Sequence, residues 1–185
     1  MIPMKYNNDW LIRKYKTKEK LNFTFFWGHK GEPGNVTKSC FSQWWPSAFT
    51  DGTHTYATAE HWMMAGKARL FKDPAMEQEI LQTSDPATAK KLGRKVANFD
   101  TALWDVEKFS LVVQGNLLKF SQYPKMKEFL LSTGDSIIVE ASPLDRIWGI
   151  GMGANHEHAA NPLLWKGQNL LGYALMEVRD QLKQQ

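Results

Sequence analysis

The chain has 185 residues, 43% of them hydrophobic and 23% charged, which suits one globular domain and excludes a disordered or fibrous chain. No apolar run approaches the roughly 20 residues that span a bilayer, and the N-terminus lacks an apolar core of signal-peptide length, so a cytoplasmic protein without membrane contact is expected. The single Cys40 excludes an internal disulfide framework, and a net charge of +4 is too small by itself to assign a nucleic-acid partner.

Residues 1–20 read as a basic N-terminal extension carrying Arg13, Lys14, Lys16, Lys18 and Lys20, with the domain proper over 21–185. A solvated tail is the plain expectation, and a patch that attracts phosphate or nucleic acid is the sharper one. The aromatic run LNFTFFW at 21–27 predicts a strand, and the Gly- and Pro-rich segment 28–35 a turn-rich loop. An aromatic loop from Cys40 leads into a short hairpin that turns at Asp51-Gly52. Thr58 is the expected N-cap of a first core helix. Asp73-Pro74 and Asp85-Pro86 each set a capping side chain before a proline at the first helical position, and Gly93 ends the second of these helices. Residues 101–122 keep the helical period through Leu103, Val106, Val113, Leu117 and Phe120, with Ser110 as a polar exception. Pro124 opens a short helix to Leu131, and 136–141 is a brief β-rich run. The loop 142–169 is too long for a connector and holds aromatics, glycines and charges, which argues for function. A last amphipathic helix carries Leu171, Ala174, Leu175, Val178 and Leu182. The fold class is mainly α: one compact helical domain with a small β-hairpin and sheet component.

The helix at 58–71 poses a question. Glu60, Met64, Lys67 and Phe71 fall at i, i+4, i+7 and i+11, one narrow stripe of a helix whose other sides are apolar. Glu60 and Lys67 are separated by about 10 Å of axial rise, so direct pairing is not expected and both can converge on one ligand. A carboxylate bonded to nearby backbone and a lysine reaching to water is the plain alternative.

Other signals are weaker. Eight tryptophans are many for this length; some belong to the core, and those beside glycines, such as Trp27 next to Gly28, suit stacking on a planar ligand. His156 and His158 alternate in a loop without a cysteine cluster, so no metal is expected. The glycines of 149–153 lack the strand–loop–helix context of a dinucleotide fold, and no cofactor is expected. Cys40 has no histidine nearby in sequence and reads as a buried thiol.

Six blocks in order, FSQWWPSAF (41–49), TAEHWMMAGKARLF (58–71), AKKLGRKV (89–96), VVQGNLLKF (112–120), TGDSIIVEASPLDRIWGIG (133–151) and GQNLLGYALMEVR (167–179), resemble the NADAR family, the YbiA-like N-glycosidases. The resemblance covers roughly residues 22–182. It implies a compact helical domain that hydrolyses the bond between a ribose carbon and an exocyclic amine of a guanine-like base. Two substrate classes go with it: phosphorylated ribosylamino-pyrimidine intermediates of riboflavin synthesis, and ADP-ribose on guanine in nucleic acid. Glu60 and Lys67 match the family's acidic and lysine positions, Asp145, Arg146, Trp148 and Gly149 its D-x-x-W-G block, and Asn169 and Gly172 the start of its final helix. The family's usual S-N-F-Y-P is here Ser42-Gln43-Trp44-Trp45-Pro46, which alters one wall of the pocket.

The resemblance thus implies Glu60, Lys67 and Asp145 as catalytic groups, with Trp27, Gly28, Ser42, Trp45, Met64, Arg94, Arg146, Trp148, Gly149, Asn169 and Gly172 around the substrate. Lys90 and Arg94 are candidates for phosphate contacts. Lys67 as a Schiff-base nucleophile and direct hydrolysis steered by Glu60 or Asp145 both remain open. Two other classes of function compete: a non-catalytic module that binds ADP-ribose or a nucleotide, and a nucleic-acid binder that uses the basic N-terminus.

Overall fold

Three aspartates start the helices that shape the domain. Asp73 accepts the Met76 N–H at 3.1 Å, Asp85 the Thr88 N–H at 2.9 Å and Asp100 the Leu103 N–H at 2.8 Å. They open α3 (Pro74–Gln82), α4 (Pro86–Gly93) and α5 (Thr101–Gln122). The computed structural model describes residues 4–31 and 35–184, so the tip of the predicted 28–35 loop lies outside the described residues.

In chain order come α1 (Asn8–Lys16), β1 (Phe23–Phe26), a 3-10 turn (Lys38–Phe41), β2 (Phe49–Thr50), β3 (Thr55–Tyr56) and α2 (Ala59–Leu70). After α3, α4 and α5 follow α6 (Pro124–Ser132), β4 (Ile137–Glu140), a 3-10 turn (Pro162–Leu164) and α7 (Leu170–Lys183). The β2–β3 pair is the expected antiparallel hairpin around Asp51-Gly52. The other pair, β1 with β4, is parallel, with Phe23 opposite Ile137 and Phe26 opposite Glu140.

α2 lies at the centre, packed on α3, α4 and α5, while α7 packs on α5 and β4. The apolar core joins Trp62, Met63 and Ala65 of α2 to Val112 and Phe120 of α5 and to Leu171, Leu175 and Val178 of α7. Gly115 lets α2 and α5 approach: a Cβ there would stand 2.2 Å from Trp62 Cδ1, and the Trp62 indole N–H donates to Leu111 O at 2.8 Å.

Three expectations are corrected. Residues 4–16 of the N-terminal segment are not a solvated tail. Asn7 caps α1 by accepting the Trp10 N–H, Leu11 is fully buried, Tyr173 donates to Asn8 Oδ1 at 2.8 Å, and Lys5 and Tyr6 both bond Asp180 on α7. Leu11, the partly buried Met4, Tyr6 and Trp10 packed on the core, and polar contacts to α7 dock this basic segment. Thr58 holds the N-cap position of α2 without capping it, because its hydroxyl pairs with His61 Nδ1 at 2.8 Å instead. On α5, Leu103 and Val106 are 42% and 43% exposed, whereas Lys108, Asn116 and Lys119 are buried. Asn116 and Lys119 face inward because they satisfy backbone carbonyls, with Asn116 Nδ2 donating to Val112 O at 2.9 Å and Lys119 Nζ to Cys40 O at 2.7 Å and Ser42 O at 3.0 Å, while Lys108 pairs with Asp105.

Candidate active site

Glu60 sits in the first turn of α2, where the helix dipole favours a carboxylate, and its N–H donates to Gln43 O at 2.9 Å. The side chain is 3% exposed, and its Oε1 has no hydrogen-bond partner among the described residues. Burial pushes its pKa up to about 7, against the pull of the Lys90 charge and the Trp44 side chain, while Asp145 adds to the rise and Arg94 opposes it.

Glu140 ends β4 beside it, and its Oε2 is likewise buried and without a partner among the described residues. Burial pushes this carboxyl up to about 8, with the charges of Asp145 and Glu60 adding to the rise and Lys90 opposing it. Asp145 is held by its own turn: Oδ1 accepts the N–H groups of Ile147 at 2.8 Å and Trp148 at 2.7 Å. The long loop after β4 is therefore an ordered wall that sets Asp145 and Trp148 opposite α2.

Lys67 is one stripe further along α2. Its Nζ donates to Gly93 O at 2.8 Å and stands 4.0 Å from the centre of the Phe99 ring and 5.5 Å from that of Trp104. Burial lowers its pKa. Among the described residues no carboxylate forms an ion pair with it.

These groups surround one cavity of about 300 Å³. Glu60, Glu140 and Asp145 supply the acidic side, Lys67, Lys90 and Arg94 the basic side, and Trp44, Trp104 and Trp148 the flat walls. Lys90 Nζ lies 5.8 Å from the Trp44 ring centre. No group of three His, Cys, Asp or Glu side chains among the described residues is arranged to hold a metal ion. No helix among them is long and apolar enough to cross a membrane.

Of the residues picked out from sequence, Glu60, Lys67, Asp145, Ser42, Met64, Arg94 and Trp148 line this cavity, as does Lys90. Seven others stand outside its lining. Trp27 is 61% exposed, and Gly28 beside it is exposed at φ +79°. Trp45 turns away toward Gly31 and a groove with Tyr123 and Met126, so that Trp44 forms the wall. Arg146 is exposed, and among the described residues only its backbone is hydrogen-bonded, with Arg146 O accepting the Gln168 N–H at 2.9 Å. Gly149 and Gly172 are needed for close approach, since a Cβ would stand 2.8 Å from Glu140 O at the first and 2.1 Å from Ile138 O at the second. Asn169, at φ 54°, bonds the free edge of β4, opposite β1, at both Ile138 O and the Glu140 N–H through its side chain.

Sequence reasoning did not assign Glu140, Met63, Gly93, Trp104, Ile147 or Leu171 to the lining, and it placed Gln43 and Trp44 on a pocket wall without naming them as site residues. For Glu140 the available signal was a carboxylate closing an apolar strand just ahead of the functional loop. His156 and His158 face each other on the surface, outside the cavity.

The NADAR domain model matches residues 25–183. An N-glycosidase of Acanthamoeba polyphaga mimivirus is 42% identical over 167 residues, covering 88% of this chain and 97% of the relative. An N-glycosidase of Nostoc punctiforme is 34% identical over 144 residues, covering 78% of this chain and 85% of its own. The N-glycosidase YbiA of Escherichia coli strain K12 is 33% identical over 138 residues, covering 75% and 76% of the two chains. The NMR structure of E. coli YbiA superposes with a TM-score of 0.67 at 27% identity, over 89% of this chain and 88% of that one. With most of its length matched by the family model and a central helix, strand end and loop that build one acidic cavity, the chain belongs to the NADAR family.

Proposed function

We propose that this protein hydrolyses the bond between a ribose carbon and an exocyclic amine of a guanine-like base. It is a hydrolase of N-glycosyl bonds, the activity that its curated relatives are named for. The observation that carries the reading is the pair Glu60 and Glu140: two carboxyls with raised pKa, each with a buried oxygen that has no hydrogen-bond partner among the described residues, in one cavity with Lys67. A carboxyl poised near neutrality can give a proton to a leaving amine and take one from water.

The sugar takes the acidic centre and the base stacks between the indoles of Trp44, Trp104 and Trp148. Lys90 and Arg94 meet a phosphate at the basic edge. Lys67 attacks the anomeric carbon of the ring-opened imine and forms a new C–N bond as the bond to the base amine breaks. Glu60 delivers the proton that the departing amine needs, and water then releases the sugar from the lysine. Burial and the lack of an ion-pair partner among the described residues favour the neutral amine.

A phosphorylated ribosylamino-pyrimidine and an ADP-ribosylated guanine in nucleic acid present this same bond, and both belong to the substrate class. The test is to incubate the protein with each and analyse the products by mass spectrometry. Free base together with free sugar phosphate or ADP-ribose is the expected result. Tight binding without release of either product would make the chain a nucleotide-binding module.

A further inference from the structure

One polar group of the cavity wall has no role in the chemistry above. Gln43 is 7% exposed, lines the cavity, and its Nε2 is buried with no hydrogen-bond partner among the described residues. Its orientation follows from its neighbours. Asn116 Nδ2 donates to Val112 O at 2.9 Å and to Gln43 Oε1 at 2.8 Å. A backbone carbonyl only accepts, so Asn116 must present its nitrogen there. That nitrogen only donates, so Gln43 must present its oxygen. The Gln43 amide N–H groups are thereby left on the side away from Asn116. Gln43 O also accepts the Glu60 N–H at 2.9 Å, which fixes this donor beside the acid.

A buried donor without a partner is costly to keep, and a ligand acceptor in the cavity removes that cost. The geometry points to Gln43 as a specificity-determining residue whose Nε2 donates to a substrate acceptor beside the scissile C–N bond, with Asn116 as the residue that aims it. The inference rests on the N-glycosidase reading above. The acceptor is a lone pair either on a sugar oxygen or on the base ring.

Calorimetric titration of the full chain with ribose 5-phosphate alone and with 9-methylguanine alone separates the two sources. Both probes should bind the parent protein. Gln43→Met should weaken one of them by about tenfold, the worth of one hydrogen bond, and leave the other unchanged. The probe that weakens carries the acceptor. Gln43→Glu keeps the shape and the bond from Asn116 and replaces the N–H donor with a titratable acceptor, so it is read at a pH where the added carboxyl is protonated as well as at neutral pH. It should weaken the same probe at least as much, and it serves if the methionine variant does not fold. Asn116→Leu leaves the donor but releases its aim. It should shift the ratio of the two affinities in the same direction, which a purely structural asparagine would not. Unchanged affinity for both probes in the Gln43 variants would overturn the inference while the glycosidase reading stands. Failure of both probes to bind the parent protein would overturn that reading and this inference with it.

Discussion

Asn169 holds Glu140 in place from across the sheet edge. Its Oδ1 accepts the Glu140 N–H at 3.0 Å, and its Nδ2 donates to Ile138 O at 3.0 Å. The asparagine manages both from a left-handed backbone, φ 54° and ψ 34°, which few side chains adopt without strain. Asn169→Ala leaves a buried N–H and a buried carbonyl unpaired and adds backbone strain. It should cost about 2–4 kcal/mol of stability and lower activity with it. Asn169→Gly relieves the strain alone and should recover only part of the loss. Chemical denaturation of the three proteins checks the order.

Stability should fall as pH rises through the titration of the buried acids. Glu60 and Glu140 titrate from 4.5 in the unfolded chain up to about 7 and about 8 in the folded one. The folded state binds more protons in that window, so the stabilisation is complete below pH 4.5 and is lost as pH climbs through 7 to 8. Lys119, lowered by burial to about 7, works in the opposite sense above that point, since its ammonium is then retained only by the unfolded chain. The clean readout is a difference: melting temperature against pH for the parent minus that for Glu60→Gln, which should grow more negative between pH 5 and 8. A flat difference would place Glu60 in contact with water.

The same Glu60→Gln variant should fold and lose activity by roughly a hundredfold or more, as expected for a proton donor. Thr58 provides no side-chain cap, and the Glu60 N–H already bonds Gln43 O, so the start of α2 survives the loss of charge. Circular dichroism and product release measured on one preparation decide it. Full turnover by the glutamine variant would remove Glu60 from the chemistry.

Lys67→Arg separates an amine from a positive charge. Arginine keeps the contact to Gly93 O and the aromatic rings but stays protonated and forms no Schiff base. It should bind substrate and fail to turn it over. Borohydride added during turnover should trap a sugar on Lys67 of the parent chain, located by peptide mapping. An active arginine variant would move the chemistry to Glu60, Glu140 and Asp145.

Trp148 is half-buried against the cavity, with its N–H bonded to Asp145. Trp148→Ala keeps that backbone bond and removes only the ring. KM should rise by roughly five- to tenfold through lost stacking, with a smaller effect on Tm. A large melting loss at unchanged KM would identify a core tryptophan instead.

The helical part of the site was legible because it repeats. Glu60, Met64 and Lys67 declare one face through the period of a single element, and that face does meet the cavity. The caps at Asp73 and Asp85 were equally local. Glu140 was not legible, because its role depends on a parallel pairing with β1 and on Asn169, both distant in sequence. The choice between Trp44 and Trp45 turned on which indole Gly31 and Tyr123 accommodate, again a tertiary matter. Lys119 and Asn116 disguised the buried face of α5, since inward polar groups weaken the apolar period.

The β1–β4 pair joins segments more than one hundred residues apart, and α7 packs against it from the end of the chain. This imposes an order on biosynthesis. A ribosome adding about 5–20 residues per second releases α2 with Glu60 and Lys67 several seconds before β4 and Asn169 exist. Throughout that interval the nascent chain has its amine and one acid but neither Glu140 nor the wall that carries Asp145. Hydrolysis of an N-glycosyl bond therefore waits for the last helix, and a chain stopped short of α7 should be inert.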